Sequence, residues 1–263
     1  STTAARTPAR LAARRFAPAL LAAAFWIAVW QVVAMVVHRD FLLASPGAVV
    51  VRLGELVVTG GFWSTVATSL LRIIVGFTGA AIVGAVLATL SAASRVAEAL
   101  AAPLIATIRS APVVSFIILL LLWTDSSRLA AYTSFLMVLP VMYANILAGI
   151  RNRDRALLEV ATVFRIPWLR RVRAIDVPAV LPFFAAACRT GVGLAWKSGV
   201  AAEVIGIAQG SIGERLYEAK LFLESADLFA WTIVIIALSV TGEAVVLWGL
   251  RRAQARFATG GAS

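Results

Sequence analysis

Residues 66–90 read VATSLLRIIVGFTGAAIVGAVLATL, a run in which Arg72 is the sole charge. About 20 mostly apolar residues suffice for a helix to cross the hydrocarbon core of a bilayer, so this segment is long enough to span. Working outward from it, comparable runs lie at 16–37, 101–123, 129–150, 179–207 and 228–250. Nowhere do apolar and polar residues alternate as lipid-facing strands require. The fold class expected is therefore an all-α polytopic membrane protein with six transmembrane helices. Composition agrees, because 61% of the 263 residues are hydrophobic and 14% are charged, against about 25% charged in ordinary soluble domains. A soluble enzyme, a disordered chain and a fibrous repeat are all excluded. A single Cys, Cys188, and a single His, His38, exclude a disulfide framework and a Cys/His metal site.

The run at 16–37 follows Arg6, Arg10, Arg14 and Arg15. It is longer than the apolar part of a signal peptide and further spans follow, so it reads as a retained first helix. The formal net charge of +11 is unusual for so apolar a chain. With the N-terminus placed in the cytoplasm, fifteen Lys and Arg residues fall on the cytoplasmic side and five outside, while Arg72, Arg109, Arg189 and Lys197 lie within spans. That bias is the positive-inside pattern. It puts both termini in the cytoplasm and argues against nucleic acid as a partner. The organisation expected is a basic cytoplasmic tail over 1–15, a six-span membrane domain over 16–250 and a second cytoplasmic tail over 251–263. Within the domain an extra first helix (16–37) precedes a core (66–250). Ser45-Pro46 pairs a capping residue with a proline suited to a first helical position. Val49, Leu53 and Leu56 then share one side, which predicts an external amphipathic helix over about 45–58 at the interface. The external loop 208–227 carries Glu214, Glu218, Glu224 and Asp227, and reads either as a partner surface or as a merely solvated connection.

The longest internal connection, 151–178, is RNRDRALLEVATVFRIPWLRRVRAIDVP. Leu157, Leu158, Val160, Ala161 and Phe164 recur at helical spacing between arginines. Such a helix suits docking to a soluble partner, or lying against the membrane through the same face. This segment resembles the EAA loop of permease subunits of bacterial ABC importers, whose pattern is E-A-A-x3-G-x9-I-x-L-P. Glu159-Val160-Ala161 opens it, Ile175 sits at the expected offset and Pro178 closes it. Arg165 stands in the Gly position and Val177 in the Leu position. Ile166-Pro167 offers a substitute break, since a residue before proline is pushed out of helical geometry. FLLASPGAVV, TSLLRIIVGF, APLIATIRSAPVVSFIILLLLW, GLAWKSGVAAEVIG and ADLFAW extend the likeness over roughly 41–250, toward the nitrate/sulfonate/taurine-type branch of the binding-protein-dependent transport family.

The resemblance implies a type I ABC importer (MetI-like) permease fold in the bacterial plasma (inner) membrane. It implies a second permease subunit, an identical copy or a distinct one, with Arg165 in the Gly position raising the odds of an asymmetric pair. Two cytoplasmic ATPase subunits and an external or lipid-anchored substrate-binding protein are the other partners. Residues for ATPase coupling would be Arg155, Leu158, Glu159, Val160, Ala161, Phe164, Arg165 and Pro167. No cofactor is expected on this chain, with ATP and Mg on the partner ATPases. The sole Lys-Ser, Lys197-Ser198, has Trp196 where a phosphate-binding loop needs Gly.

Charges at membrane depth are costly and usually face a bundle interior or a wet cavity. In 179–207, Arg189, Gly193, Lys197 and Ala201 form one i+4 ridge, while Ala187, Gly191, Ala195, Gly199 and Glu203 form another of mostly small residues suited to close packing. Gly76, Ala80, Gly84 and Ala88 make a similar ridge in 66–90. Lys197, Arg189 and Arg109, with Ser110 and Ser115 around Pro112, are candidates to line a translocation path for an anion. The bland alternative has Arg109 and Arg189 snorkelling to an interface and Lys197 pairing with Glu203 of a neighbouring subunit. Glu203 reads as an outer gate or structural pair, and Tyr132, Tyr143 and Asn145 as packing residues. The expected mechanism is alternating access, in which closure of the ATPases is carried into the spans by the helix at about 155–165. The function expected is thus an ATP-driven importer's permease, not an enzyme, for a small anion such as nitrate, a sulfonate, taurine or bicarbonate, or for a vitamin precursor. The alternative is a secondary transporter or other polytopic protein without ATPase coupling. That would need midplane carboxylates and an internal repeat, for which Glu203 and Glu243 are the only acidic candidates in spans. No nucleophile–base set supports an intramembrane enzyme.

Overall fold

The computed structural model describes residues 8–39 and 41–259. In chain order the helices are α1 Pro8–Val37, α2 Pro46–Val57, α3 Gly60–Ala93, α4 Arg95–Ser110, α5 Val113–Leu121, α6 Ser126–Arg151, α7 Arg155–Val163, α8 Trp168–Arg171, α9 Val177–Gly206, α10 Ile212–Leu221 and α11 Ser225–Thr259. A π-helical turn, Val172–Asp176, joins α8 to α9 without a break. By length and composition α1, α3, α6, the α8–α9 rod and α11 can each cross a membrane, and α4 with α5 makes a sixth if the bent pair is counted as one span.

That bend corrects the expectation of one continuous span over 101–123: α4 and α5 meet at 100°. The cause is local. Ala111 precedes Pro112 and adopts an extended conformation, φ −76° and ψ 141°, as the proline ring demands of its predecessor. Three further findings concern loops and tails. Much of 151–178 is helix, since α8 and the π turn prolong α9 toward the loop. The segment 208–227, read as a loop, is largely α10, whose cap Ser211 accepts from Glu214 N–H at 3.0 Å. Segments 8–15 and 251–259, expected as tails, continue α1 and α11, whereas 1–7 and 260–263 lie outside the described residues.

α6 forms the centre of the bundle, with α3 packed along one side of it and α9 along the other. Both contacts depend on missing side chains. A methyl group added at Gly76 would fall 2.2 Å from the Ala131 carbonyl oxygen, one at Gly84 2.7 Å from Met142 Cβ, and one at Gly199 2.7 Å from Ser134 Oγ. Small residues thus bring the helix backbones close enough for dispersion contacts to hold apolar helices together in lipid. Ser134 uses the proximity to donate a hydrogen bond to the Ala195 carbonyl at 2.9 Å. Outward-facing positions are apolar instead: Leu71, Val75, Ile82, Ile236, Val240 and Val245 are all exposed, as a lipid-facing surface requires.

α2 is capped as its sequence suggests, Ser45 accepting from Ala48 N–H at 3.3 Å. Its apolar side packs on neighbouring helices. Val49 is fully buried with Ala44 and Ala230, against Trp30 and Phe229. Arg52 of α2 ion-pairs with Asp227 of α11 and with Glu55. These hydrogen bonds hold the Arg52 proton more firmly than water does. α1 touches the bundle through Trp30, whose indole N–H donates to the Ala44 carbonyl at 3.1 Å and whose ring packs on Phe229.

The end of α7 also departs from expectation. Its break does not depend on Ile166-Pro167 alone. Arg165 itself takes the left-handed conformation, φ +51°, and Ile166 N–H donates to the Ala161 carbonyl at 2.9 Å, a bond of the Schellman type that closes helices ending on glycine. Pro167 then opens α8 in extended geometry.

Two predictions follow from this packing. Gly76→Ala should lower the stability of the purified protein by about 1–3 kcal/mol through overpacking, while Gly54→Ala, where the added methyl meets nothing within 4 Å, should raise it by about 0.5–1 kcal/mol. Thermal unfolding in detergent reads both. Arg165→Gly should relieve a left-handed conformation that costs an L-residue about 1 kcal/mol. Amide exchange across α7 should slow accordingly, and unchanged exchange would show that the turn is not strained.

Candidate functional site

The two ridges of α9 separate cleanly. Ala187, Gly191, Ala195, Gly199 and Glu203 are all buried, whereas Arg189 and Lys197 are exposed and Gly193 is half-buried, with nothing within 4 Å of an added Cβ. One face of the helix therefore packs on α6 while the neighbouring face is open at Arg189 and Lys197 and half-buried at Gly193 and Ala201, the latter packing near Ile117 and Leu129. Beside that face lies a groove of about 390 Å³ lined by Ile108 and Arg109 of α4, Pro140, Val141 and Asn145 of α6, and Leu194 of α9. The α4–α5 bend carries Arg109 there, in the last turn of α4. Leu194 precedes Lys197 by one turn, so the structure brings Arg109 and the Lys197 face to one side of the bundle. Among the described residues neither cation has a carboxylate within ion-pair distance. Asn145 donates its amide to the Val141 carbonyl at 2.9 Å. That leaves its carbonyl oxygen for the groove.

The other candidates are distributed differently. Arg189 is paired with Glu243 of α11, Nε to Oε1, at 3.2 Å. Ser110 donates to the Thr107 carbonyl at 3.2 Å and, with Arg109 and Tyr143, lines a shallower hollow next to Glu98. Ser115 is exposed in the first turn of α5, away from the groove lining. Tyr143 is buried and donates to Ser91 at 3.1 Å, and Tyr132 lies at the α5–α6 junction.

Glu203 is fully buried and stands on the packed face, not the open one. Its partners lie in its own chain. Ser69 of α3 donates to Oε2 at 2.8 Å, and so does Gly213 N–H of α10 at 3.3 Å. Arg72 places Nη1 3.7 Å from Oε1. Sequence reasoning had both charges in spans but did not join them. The available signal was that an unpaired Arg and an unpaired Glu at membrane depth seek each other.

At the opposite end of the bundle, residues 151–178 form a braced unit. Arg153 and Arg171 both ion-pair with Asp176, the former also donating to the Ile150 carbonyl at 2.6 Å. Arg151 reaches Glu98 of α4 at 2.6 Å. On this frame stands α7, capped by Asp154, which accepts from Ala156 N–H at 2.8 Å. Ala161 is its sole buried residue. Leu158 is half-buried, and Arg155, Glu159, Arg165 and Pro167 are exposed. Val160, Val163, Phe164, Trp168 and Leu169 are apolar and exposed, Phe164 by 75%. An apolar patch of this size beside arginines is unusual unless something covers it.

The comparisons with known proteins bear on this arrangement. The model of the binding-protein-dependent transport system inner membrane component family matches residues 80–258. The aliphatic sulfonates transport permease protein SsuC of Escherichia coli (strain K12) is 31% identical over 235 residues, 88% of each chain. The bicarbonate transport system permease protein CmpB of Synechococcus elongatus is 28% identical over 190 residues, 72% of this chain and 68% of its own. The crystal structure of an amino acid ABC transporter with histidines superposes with a TM-score of 0.54 at 18% identity, covering 79% of this chain and 96% of that one; the likeness is one of fold. A stand-alone secondary transporter is thereby set aside. With its bent and straight crossings built around α6, the chain belongs to the inner membrane components of binding-protein-dependent transport systems, and is a non-catalytic permease subunit of an ABC importer.

Proposed function

We propose that this permease passes a small anion along the open face of α9, and that α7 couples it to its ATPase. The observation that carries the reading is Lys197: an exposed cation within a membrane-crossing helix, without an ion-pair partner among the described residues, one turn along α9 from Leu194, which lines the groove that holds Arg109. A lone charge facing lipid would be expensive, so such a side chain fits a wet path or a subunit interface that encloses one. Sulfonates and bicarbonate, the solutes in the names of the relatives, are anions. Arg109 and Asn145 would hold the anion at the bend between α4 and α5, with Lys197 a turn beyond. The ion pair to Glu243 makes Arg189 a brace between α9 and α11 more than a substrate contact, and Ser110 and Ser115 would flank the bend.

Coupling would run through the end that carries 151–178, which the positive-inside bias assigns to the cytoplasm together with both termini. The host membrane would be a bacterial plasma membrane. Two ATPase subunits would grip α7 of this chain and of a second permease subunit, identical or distinct. Phe164, Val160 and Leu158 would fill an apolar groove, and Glu159, Arg155 and Arg165 would set its orientation. ATP and Mg would be held by those partners. Closure of the ATPase pair pushes α7, and the Asp176 brace transmits the push into α6 and α9. The cytoplasmic opening then closes and the outer opening receives solute from an external binding protein. Such coupling needs the two conformations to differ in their affinity for the closed ATPase pair, and a helix clamped at both ends can supply that difference.

Uptake of radiolabelled ethanesulfonate and of bicarbonate into proteoliposomes containing the full complex tests the path. Lys197→Ala should lower uptake about tenfold, through loss of local anion concentration, and Lys197→Arg should retain most of it. Unchanged rate and apparent affinity in the alanine variant would refute the path. For the coupling helix, Phe164→Ala and Glu159→Ala should each reduce co-purification with the ATPase, the former by about tenfold, as for a buried aromatic anchor. Intact assembly and transport-linked hydrolysis in both variants would refute the assignment.

A further inference from the structure

Trp168 and Leu169 of α8 are 67% and 63% exposed, and neither belongs to α7. Beside them opens a second groove, of about 430 Å³, which Trp168 helps to line. Its walls are Ala85 and Thr89 of α3, Ile146 and Ile150 of α6, and Val180 and Phe184 of α9. Thr89 satisfies its own hydroxyl by donating to the Ala85 carbonyl at 2.8 Å, so the walls are in effect apolar. Phe184 lies two helical turns beyond Asp176, hence about 12 Å deeper into the span at 1.5 Å per residue. Arg153, Arg171 and Asp176 line the other end. The groove is therefore apolar at membrane depth and cationic where the spans meet segment 151–178.

The charge at that end does not cancel. Two guanidinium groups share the single carboxylate of Asp176. Arg170 and Arg173 are also exposed on this segment, with no ion-pair partner among the described residues. Arg171 reaches Asp176 only through Nε, at 3.4 Å, so its two terminal nitrogens are unpaired among the described residues. Such a planar set of N–H donors suits the oxygens of a phosphate, and an exposed Trp beside it is typical of a membrane–water boundary. Apolar walls draw no lipid out of lipid, because both are equally apolar, so selection between lipids falls to the headgroup. A soluble partner could not follow the walls to Phe184. A second copy of this chain would need a free acidic group at that depth, and its two acids in spans, Glu203 and Glu243, face arginines of their own chain.

We propose that this groove binds an anionic phospholipid of the cytoplasmic leaflet, with one acyl chain along Ile146, Val180 and Phe184 and the phosphate on Arg171. The proposal rests on the importer reading only for placing 151–178 at the cytoplasmic face; neither the solute nor the grip of the ATPase on α7 enters it. The bound lipid offsets the surplus positive charge and covers Trp168, which ties α8 and the π-helical turn to the leaflet. Phosphatidylcholine offers the same phosphate but no net charge, so it is the weaker ligand.

Native mass spectrometry of the full, delipidated complex in detergent, titrated with phosphatidylglycerol or with phosphatidylcholine, tests the site. Phosphatidylglycerol should bind about fivefold more tightly, the worth of one uncompensated cation near a membrane surface. Arg171→Gln should bring the two lipids within about twofold of each other, by loss of that cation. Val180→Trp, which fills the groove, should lower phosphatidylglycerol binding by about the same fivefold. Arg95→Gln removes an equal charge from an exposed position outside the groove and should leave the preference intact. Equal affinity for the two lipids in the unaltered complex overturns the proposal. So does a loss of preference in Arg95→Gln as large as in Arg171→Gln, which would mean diffuse attraction alone. Full displacement of phosphatidylglycerol by excess inorganic phosphate overturns it too, because the site would then serve a soluble anion. A complex that takes up no lipid, its groove covered by the second permease subunit or the ATPase, has the same consequence. If the Arg171→Gln complex cannot be isolated, Val180→Trp decides, and undiminished binding there overturns the proposal. Solute uptake is not read, so failure here leaves the importer reading standing.

Discussion

The close approach of α3 and α9 to α6 is the constraint on which everything else here depends. Lipid supplies no hydrophobic drive between helices, so association relies on contact area and on the few hydrogen bonds that short distances permit. The absence of a side chain at Gly76, Gly84 and Gly199 sets those distances. From them follow the bond from Ser134 to Ala195, the burial of one ridge of α9, and the exposure of the other. A face bearing Lys197 is left open because the opposite face is already committed.

Electrostatics then acts at the ends of the bundle, not along its middle. Three ion pairs reinforce contacts between elements: α2 to α11 through Arg52 and Asp227, α9 to α11 through Arg189 and Glu243, α4 to α6 through Glu98 and Arg151. Exposed pairs such as these contribute little to stability individually, and their value lies in fixing which end moves with which. The Glu203 junction differs because it is buried, where removing one partner leaves an uncompensated charge.

What could be read from the sequence was what repeats over short distances. The ridges of α3 and α9 were legible because i+4 spacing maps directly onto a helix face, and α7 was legible from its apolar spacing. The α4–α5 bend was not predicted, although Ala111-Pro112 carried the signal, because hydropathy does not register direction. The left-handed turn at Arg165 escaped because a long cationic side chain argues against that conformation, and only the Schellman-type bond from Ile166 to Ala161 reveals it. The partners of Glu203 escaped for another reason. Ser69 and Gly213 lie 134 and 10 residues away, and no local pattern connects three elements that meet only after the bundle forms. A pairing between Lys197 and a neighbour's Glu203 loses its basis once that carboxylate is occupied within its own chain.

The clasp between α2 and α11 has a consequence in time. Arg52 and Asp227 are separated by 175 residues, so a growing chain contains the first long before the second exists. At a synthesis rate of about 5–20 residues per second, roughly 9–35 s separate them. Throughout that interval the face of α2 around Val49 has no permanent cover, since Ala230 and Phe229 arrive with α11. α1 and α2 must therefore wait at the membrane, held by lipid and by each other through Trp30. Segments made well before α11 thus dock only once it is present.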